Sequence, residues 1–234
     1  MASVRLPNKP LADIGGVPMI VQVWRRAREA DIGPVVVACG EQAIFEVIRD
    51  AGGNAVLTEP AHPSGSDRIY EALGQLDSGR KFDVVVNLQG DLPTIDRKCI
   101  RAVLTPFEDA DCDITTLVSE ITKEEEKTNP DVVKAVVAFA DGTRIGRALY
   151  FSRGLVPAGD GPVYNHIGIY GYRRDALESF INLPQGVLEQ RERLEQLRAL
   201  ENGLCIYAAH VDTSPIGVDT PADLERARKI LGVS

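Results

Sequence analysis

The sequence lacks the patterns that mark several large protein classes. None of its four cysteines belongs to a C-x-x-C pair, and the histidines His62, His166 and His210 lack zinc-type spacing. No run approaches the ~20 apolar residues needed to span a membrane, and the N-terminus has no apolar signal-peptide segment. These absences argue against a zinc fold, a disulfide scaffold and a membrane protein. They predict buried free thiols in a cytoplasmic protein.

The charge and composition limit the partners and the class. The net charge of the 234-residue chain is −8 and its pI is about 5.0, so no global basic field exists for binding nucleic acid. A local cluster of arginine and lysine can still hold a small anionic ligand. With 44% hydrophobic and 26% charged residues, the composition is typical of a globular protein with a substantial core.

The first half of the sequence alternates between strand-like and helix-like patterns. The continuous apolar run at 34–39 is typical of a strand that is covered on both faces, and the valine-rich segment 83–88 is predicted to be another buried strand. Helical spacing of apolar residues precedes the first run, and further helices are predicted over 41–51 and up to about Leu76. This alternation predicts an α/β protein with a Rossmann-like three-layer arrangement and a mostly parallel sheet.

The second half begins with a different pattern. The segments 113–120 and 132–139 are rich in valine and threonine without a long helix between them, and 167–173 alternates like a strand. We therefore expect a single domain over 1–234 with a β-rich excursion at about 110–173, which caps the active site, forms a dimer interface, or both. Helices are predicted over 175–182, 187–202 and 221–231, with a strand at 205–211.

Polar segments follow the ends of the predicted strands, where α/β sheets bind ligands. The glycine-rich dinucleotide fingerprint and the Walker lysine pattern are absent, so phosphates would be held by Arg5, Lys9 and Arg68 with loop amides. Asp91 and Asp219 could each be an ordinary turn or helix-capping carboxylate. Together with the cations, however, they suit Mg²⁺ and indicate phosphoryl or nucleotidyl transfer.

Other polar candidates have two alternative interpretations. Residues 1–11 are either a frayed basic terminus or a proline-stiffened loop in which Ser3, Arg5 and Lys9 hold a triphosphate. His166 and Tyr170 can point to the same side of one strand, although Tyr170 alone is typical of a core aromatic. The pair 195–196 alone is typical of a helix surface.

Eight segments, taken in order, resemble the 3-deoxy-manno-octulosonate (Kdo) cytidylyltransferases, the CMP-Kdo synthetase family. None of the segments is specific alone, but eight in the right order over the full length are. They are residues 3–11, 62–68, 89–91, 129–134, 148–153, 166–172, 194–198 and 217–221.

The resemblance implies a nucleotidyltransferase fold, a homodimer, Mg²⁺, and the transfer of CMP from CTP to Kdo for lipopolysaccharide synthesis. By position it implies catalytic roles for Arg5, Lys9, Asp91 and Asp219, the two aspartates being the metal ligands. The residues implied to bind CTP are Ser3, Arg5, Lys9, Ser64, Gly65 and Arg68. Those implied to face the sugar acid are Gln89, Arg153, His166, Tyr170, Glu195 and Gln196.

Three departures from the family pattern keep alternatives open. The chain begins after the family's first strand and its arginine, Cys39-Gly40 replaces Thr-Asp, and Leu92 replaces a glutamate. The first departure suggests either a misassigned or shortened start, or a non-catalytic binding form, and the codons before Met1 would separate the two. A third alternative is a cytidylyltransferase for another sugar acid, such as a sialic acid or an amino-substituted Kdo.

Overall fold

A computed structural model of the protein describes residues 6–233. Their contacts define two compact units, and each unit is assembled from separate parts of the chain. The first unit comprises residues 6–81, 88–101 and 215–233, and the second comprises Phe82–Asn87 and Ala102–Ser214. Because the chain passes between the units several times, they are not two consecutive domains. The single domain expected from the sequence stays a prediction.

The described residues contain both helices and strands, which confirms the predicted α/β class. The strands are β1 (Asp13–Ile14), β2 (Val17–Pro18), β3 (Val36–Cys39), β4 (Asn54–Leu57), β5 (Val84–Leu88), β6 (Ile114–Glu120), β7 (Lys134–Phe139), β8 (Ile145–Ser152), β9 (Tyr164–Arg173) and β10 (Ile206–His210). The α-helices are α1 (Met19–Ala30), α2 (Gln42–Asp50), α3 (Gly65–Leu76), α4 (Arg97–Ala102), α5 (Glu124–Thr128), α6 (Arg174–Ile181), α7 (Val187–Glu192), α8 (Gln196–Glu201) and α9 (Pro221–Ile230). Short 3₁₀ turns lie at Lys9–Leu11 and Thr105–Glu108.

One hydrophobic core of the first unit lies between α1, α2 and the parallel pair β3–β4. Helix α1 contributes Trp24 and its apolar neighbours, which pack with Cys39 of β3 and with Ile44 and Ile48 of α2. The helix ends at Asp31, whose left-handed backbone (φ 51°) lets its N–H bond back to the carbonyl oxygen of Arg28. This core holds β3 and β4 in place, and the polar loops that follow these strands begin at residues 40 and 58.

A second core in the first unit joins the C-terminal segment to the start of α1. Ile14 and Met19 are completely buried against Val218, Leu224 and Ala227. Helix α9 carries two of these residues and begins as predicted, with Thr220 capping the N–H of Asp223 and with Pro221 in its first turn. The burial of Val218 fixes the position of the next residue, Asp219.

The second unit contains a six-stranded sheet with the order β5-β9-β6-β10-β8-β7. Strands β6 and β10 are parallel, but β9 on β6, β8 on β10 and β7 on β8 are antiparallel. The prediction of a mostly parallel sheet therefore needs correction. The β-rich excursion does not form a separate flap, because its strands join the same sheet as β5 and β10. Successive strands joined without a long helix pair antiparallel.

Two further elements differ from the sequence-based expectations. The helix predicted over 187–202 is divided into α7 and α8, because Arg193 has a left-handed backbone (φ 56°) that ends the first of them. Strand β8 was not predicted as a strand. The charged residues 123–127 lie at the surface, with Glu126 and Lys127 partly exposed and the others exposed, and most of them belong to α5.

All four cysteines lie in the described part of the chain and are free thiols, with Cys39, Cys99 and Cys112 buried and Cys205 partly exposed. Across residues 6–233, no helix is both long and apolar enough to cross a membrane.

Candidate active site

Lys9 joins two carboxylates in the first unit. Its Nζ atom lies 2.8 Å from Oδ2 of Asp91 and 2.9 Å from Oδ1 of Asp219. Since both oxygens bond one ammonium group, the two carboxylates converge on a single point. The structure thus brings together three of the four residues predicted to be catalytic. The fourth, Arg5, lies outside the described residues, as does Ser3.

Local backbone structure holds each member of this triad. Lys9 begins a 3₁₀ turn after Asn8, which adopts a left-handed conformation (φ 51°). Asp91 lies in the loop after β5, and its carbonyl oxygen accepts a 3.0 Å hydrogen bond from the N–H of Val218. Because Val218 is buried and hydrogen-bonded, the adjacent Asp219 is held beside Asp91.

The carboxylates of Asp91 and Asp219 stabilise the charged form of Lys9. Burial disfavours the Lys9 ammonium, but the carboxylates of Asp91 and Asp219 outweigh that effect and raise the pKa of Lys9 above its ordinary value. The side chain of Asp91 is 30% exposed and that of Asp219 is 56% exposed, so ligands can reach both carboxylates.

The two aspartates fit Mg²⁺ by their donor chemistry. They already converge on a cation, the Lys9 ammonium. Residues 6–233 contain no group of three or more His, Cys, Asp or Glu side chains that could hold a metal. Magnesium commonly binds one or two carboxylates and completes its octahedron with phosphate oxygens and water. The prediction of a metal at Asp91 and Asp219 is consistent with this arrangement and stays a prediction.

The residues predicted to bind the nucleotide base lie at the start of α3. Ser64 caps this helix, because its Oγ accepts the N–H of Asp67 at 3.2 Å and donates to the Asp67 carboxylate at 2.6 Å. Gly65 is the first helical residue. Arg68 donates to the Thr58 hydroxyl at 2.7 Å and to the carbonyl oxygens of Glu59 and Pro60.

Two of the departures from the family pattern have a local structural role. A Cβ atom at Gly40 would lie 2.8 Å from Nη1 of Arg68 and 2.9 Å from the backbone of Pro60, so glycine leaves room for the guanidinium. Leu92 is 7% exposed and belongs to the core. The leucine at this position therefore contributes apolar packing where a glutamate would introduce a charge.

The second unit brings His166 and Tyr170 together on β9. Their ring centroids are 5.4 Å apart, and the ring of Phe151 lies 5.0 Å from that of His166. Burial lowers the pKa of His166 to about 4, so the imidazole is neutral at pH 7. Burial also raises the pKa of Tyr170 well above its ordinary value, and the charges of Tyr172 and Glu195 act in the same direction.

The pKa of His166 predicts a pH-dependent stability. The imidazole has a pKa of about 4 when folded and about 6.5 when unfolded, so the unfolded chain binds more protons between these values. The free energy of unfolding should therefore decrease as the pH falls through this window, by less than about 1.4 kcal/mol per pH unit from this group. Urea unfolding at pH 7 and pH 5 measures it. The His166→Gln variant should show a smaller decrease, and equal decreases would contradict the assignment.

Arg153 is held by a carboxylate that the sequence did not indicate. Glu192 accepts the backbone N–H of Arg153 and the hydroxyl of Ser152, both at 2.9 Å, and its carbonyl oxygen accepts Nε of Arg153 at 3.0 Å. Burial disfavours the Glu192 carboxylate, but these hydrogen bonds outweigh it and lower its pKa. Arg153 also donates from Nη1 to the carbonyl oxygen of Pro130.

A buried lysine supports the same segment. Nζ of Lys134 donates to the carbonyl oxygens of Asn129, Val132 and Arg153 at 2.9, 2.7 and 2.8 Å. Lys134 is completely buried, and nothing in its sequence neighbourhood distinguishes it from a surface lysine. It ties the loop at 129–132 to the end of β8.

Within residues 6–233, two buried amide groups of the second unit have no hydrogen-bond partner. These are Nε2 of Gln196, the first residue of α8, and Nδ2 of Asn87 near the end of β5. Gln196 is 7% exposed, so its sequence-based interpretation as a surface residue is wrong. An unsatisfied buried donor is costly unless a ligand or water completes it. Asn87 was not predicted as a site residue, and Gln89 follows it in the loop after β5.

The sequence of the chain is similar to those of known cytidylyltransferases. The profile of the family described as cytidylyltransferase matches residues 1–208. A 3-deoxy-manno-octulosonate cytidylyltransferase from Paramagnetospirillum magneticum is 63% identical over 231 residues, which cover 99% of this chain and 94% of that protein. The enzyme of the same name from Rhodospirillum rubrum is also 63% identical, over 99% of this chain and 92% of that protein.

Solved structures agree with these relatives. A CMP:2-keto-3-deoxy-manno-octonic acid synthetase complexed with CTP matches with a TM-score of 0.89 and 37% identity, over 98% of this chain and 94% of that one. The 4-diphosphocytidyl-2C-methyl-D-erythritol synthase of Anaerococcus prevotii matches with a TM-score of 0.63 and 14% identity, over 95% of this chain and 93% of that one. The second match concerns the fold alone. The predicted nucleotidyltransferase fold is confirmed.

Proposed function

Because the chain belongs to the family of 3-deoxy-manno-octulosonate cytidylyltransferases, we propose that it transfers CMP from CTP to Kdo and releases pyrophosphate. The observation that carries the proposal is the convergence of Asp91 and Asp219 on Lys9. Two carboxylates and a cation at one point suit a reaction in which a triphosphate with its metal is bound and cleaved.

The reaction forms one bond and breaks one. The oxygen of the Kdo 2-hydroxyl attacks the α-phosphorus of CTP, the bond from that phosphorus to the bridging oxygen of the β-phosphate breaks, and pyrophosphate leaves. The hydroxyl proton passes to solvent. The hydroxyl is a weak nucleophile and the phosphorus already carries anionic oxygens, so catalysis depends on position and on compensating charge.

We assign this compensation to Lys9. Its ammonium is held in position by two carboxylates. When phosphates bind, it can donate to their oxygens without paying for large reorganisation. We assign a supporting role to Arg5, and Ser3 completes the phosphate contacts that the resemblance implies.

We propose that Asp91 and Asp219 hold Mg²⁺ together with the bound nucleotide. When bound there, magnesium would act as a Lewis acid and stabilise the negative charge that develops in phosphoryl transfer. Both side chains present carboxylate oxygens at the point where they bond Lys9, and such oxygens are the ligands that magnesium prefers. Ser64, Gly65 and Arg68 would contact the nucleotide, with Arg68 also ordering the loop that follows β4.

Recognition of the sugar acid is proposed for residues of the second unit, and a contact of Gln89 with the sugar acid is proposed from the resemblance alone. The carboxylate of Kdo would pair with Arg153, whose orientation is set by Glu192. His166, Tyr170 and Glu195 would contact its hydroxyl groups. The unsatisfied Nε2 of Gln196 supports a polar ligand at the start of α8, since this buried donor lacks a partner in the described structure.

The remaining parts of the proposal concern the cellular setting. The product would serve lipopolysaccharide synthesis, in the cytoplasm, and the protein would act as a homodimer that uses the β-rich excursion as its interface. Size-exclusion chromatography with light scattering tests the dimer, and a monomer at micromolar concentration would contradict it.

A panel of sugar acids tests the proposed substrate. Pyrophosphate release is measured with CTP, Mg²⁺ and each of Kdo, an amino-substituted Kdo and a sialic acid. We expect the highest kcat/KM with Kdo. Turnover with another acid but not with Kdo would refute the proposed acceptor and keep the transfer chemistry, whereas no turnover with any of them would favour a non-catalytic form.

A further inference from the structure

Thr116 contacts the imidazole of His166 from the neighbouring strand. Its Oγ1 lies 3.0 Å from Nε2 of His166, 3.1 Å from the carbonyl oxygen of Ile167 and 2.9 Å from that of Ile169. Thr116 is completely buried, so water does not compete for these hydrogen bonds. No motif in the sequence indicated this threonine.

The strand pairing creates this arrangement. Thr116 of β6 faces Tyr170, but the next residue, Leu117, faces Ile167, so the register shifts by two extra residues of β9. The shift brings the carbonyl oxygens of Ile167 and Ile169, on either side of Gly168, toward one hydroxyl.

The number of available hydrogens fixes which atom donates. A threonine hydroxyl has one hydrogen to donate, and carbonyl oxygens only accept. If the hydrogen pointed to Nε2, the oxygen of Thr116 would face two carbonyl oxygens at 2.9 and 3.1 Å with no hydrogen between them. The favourable arrangement has Thr116 donating to a carbonyl oxygen, and His166 donating from Nε2–H to Thr116.

The second ring nitrogen then remains an acceptor. Because burial keeps His166 neutral at pH 7, an imidazole that carries its proton on Nε2 has a bare lone pair on Nδ1. In the described part of the chain, no side chain or backbone group donates a hydrogen bond to this nitrogen.

We propose that Thr116 is a positioning residue that holds His166 as the Nε2–H tautomer, so that Nδ1 accepts a hydrogen bond from a hydroxyl group of the sugar acid. This inference rests on the proposed function for its ligand, but the tautomer itself is a property of the free protein. A neutral acceptor at this point favours a hydroxyl donor and disfavours the sugar carboxylate.

Nuclear magnetic resonance of the free protein tests the tautomer without any activity. The protein has three histidines, so long-range ¹H–¹⁵N spectra of a ¹⁵N-histidine sample are simple to assign with the His166→Gln variant. At pH 7 we expect the pattern of an imidazole protonated on Nε2 alone. A proton on Nδ1, or an imidazolium, would overturn the inference even if the enzyme turns over Kdo.

Kinetics of the Thr116→Val and Thr116→Ser variants test the consequence. Valine removes the hydroxyl and frees the tautomer, and we expect the KM for Kdo to rise about tenfold with the KM for CTP unchanged. Serine keeps the hydroxyl and should restore the KM. If the valine variant does not fold, the serine variant decides the question. Because serine keeps the hydroxyl, a changed tautomer of His166 together with a raised KM for Kdo in this variant would overturn the inference.

Thr115→Val provides the matched control. Thr115 is equally buried on the same strand, but its hydroxyl accepts the backbone N–H of Gly171 and does not contact His166. We expect the tautomer of His166 and the KM for Kdo to stay as in the wild type. An equal rise in the KM for Kdo in both valine variants would show a purely structural effect and refute the role of Thr116.

If wild-type protein has no activity with Kdo, the proposed function fails while the spectrum still decides the tautomer.

Discussion

Replacing Asp91 with asparagine is expected to lower kcat by at least about 10³-fold. The carboxylate lies at the point where Lys9 and Asp219 meet, and we assign it to Mg²⁺. A bound metal contributes several kcal/mol to stabilising transition-state charge, and about 4 kcal/mol corresponds to that factor. The amide has nearly the same shape as the carboxylate, so the fold should be retained. Steady-state pyrophosphate release measures the rate.

The control for Asp91 is the same substitution at Asp96. This carboxylate lies in the same part of the first unit and accepts the backbone N–H of Lys98 at 2.7 Å, without contact to Lys9. Asp96→Asn should keep a rate close to that of the wild type. A folded Asp91→Asn protein with wild-type turnover would remove this carboxylate from the reaction.

The second large effect is expected for Lys9→Met, which keeps much of the side-chain length and removes the charge. If the ammonium compensates charge on the phosphates, its removal should lower kcat by about 10²–10³-fold, as for other preorganised electrostatic groups. The KM for CTP should also rise. Wild-type kinetics in this variant would remove Lys9 from the phosphate site.

Metal binding gives a second measurement on the same variant. The Lys9 ammonium bonds both of the carboxylates that we assign to Mg²⁺. Titration calorimetry with Mg²⁺ alone should therefore show tighter binding to Lys9→Met than to the wild type, because the competing cation has been removed. Lys98→Met serves as a control for the loss of one positive charge, since Lys98 is exposed on the short helix α4. Equal affinities in the two variants would contradict the competition.

Much of the first unit could be predicted from local sequence. The apolar faces of α1 and α2, the parallel strands β3 and β4, and the capped start of α9 all follow from periodicity and capping residues. Asp91 was predicted to lie at the sheet edge because it follows a buried strand, and Asp219 was placed at the same edge because it directly precedes the C-terminal helix. The sequence could not show that Lys9 bonds both of them, since that contact depends on the packing of a distant helix, α9.

The second unit was harder to predict because strand pairing decides its site. Valine and threonine content indicates β6 and an alternating pattern indicates β9, but neither signal specifies the direction or the register of the two strands. The shift after Thr116 creates the contact with His166, and the sequence has no signal for it. Glu192 was missed for a related reason. The left-handed Arg193 ends α7 there, whereas the periodic pattern continues through both helices.

A single reaction followed by ³¹P NMR tests the proposed chemistry as a whole. The purified protein is mixed with CTP, Kdo and Mg²⁺, and the phosphorus signals are recorded with time. We expect the CTP signals to be replaced by equal amounts of pyrophosphate and a new phosphodiester of CMP, with no change when Kdo or Mg²⁺ is omitted. Unchanged CTP in the complete mixture, or its conversion to free CMP without the phosphodiester, would contradict cytidylyl transfer to Kdo.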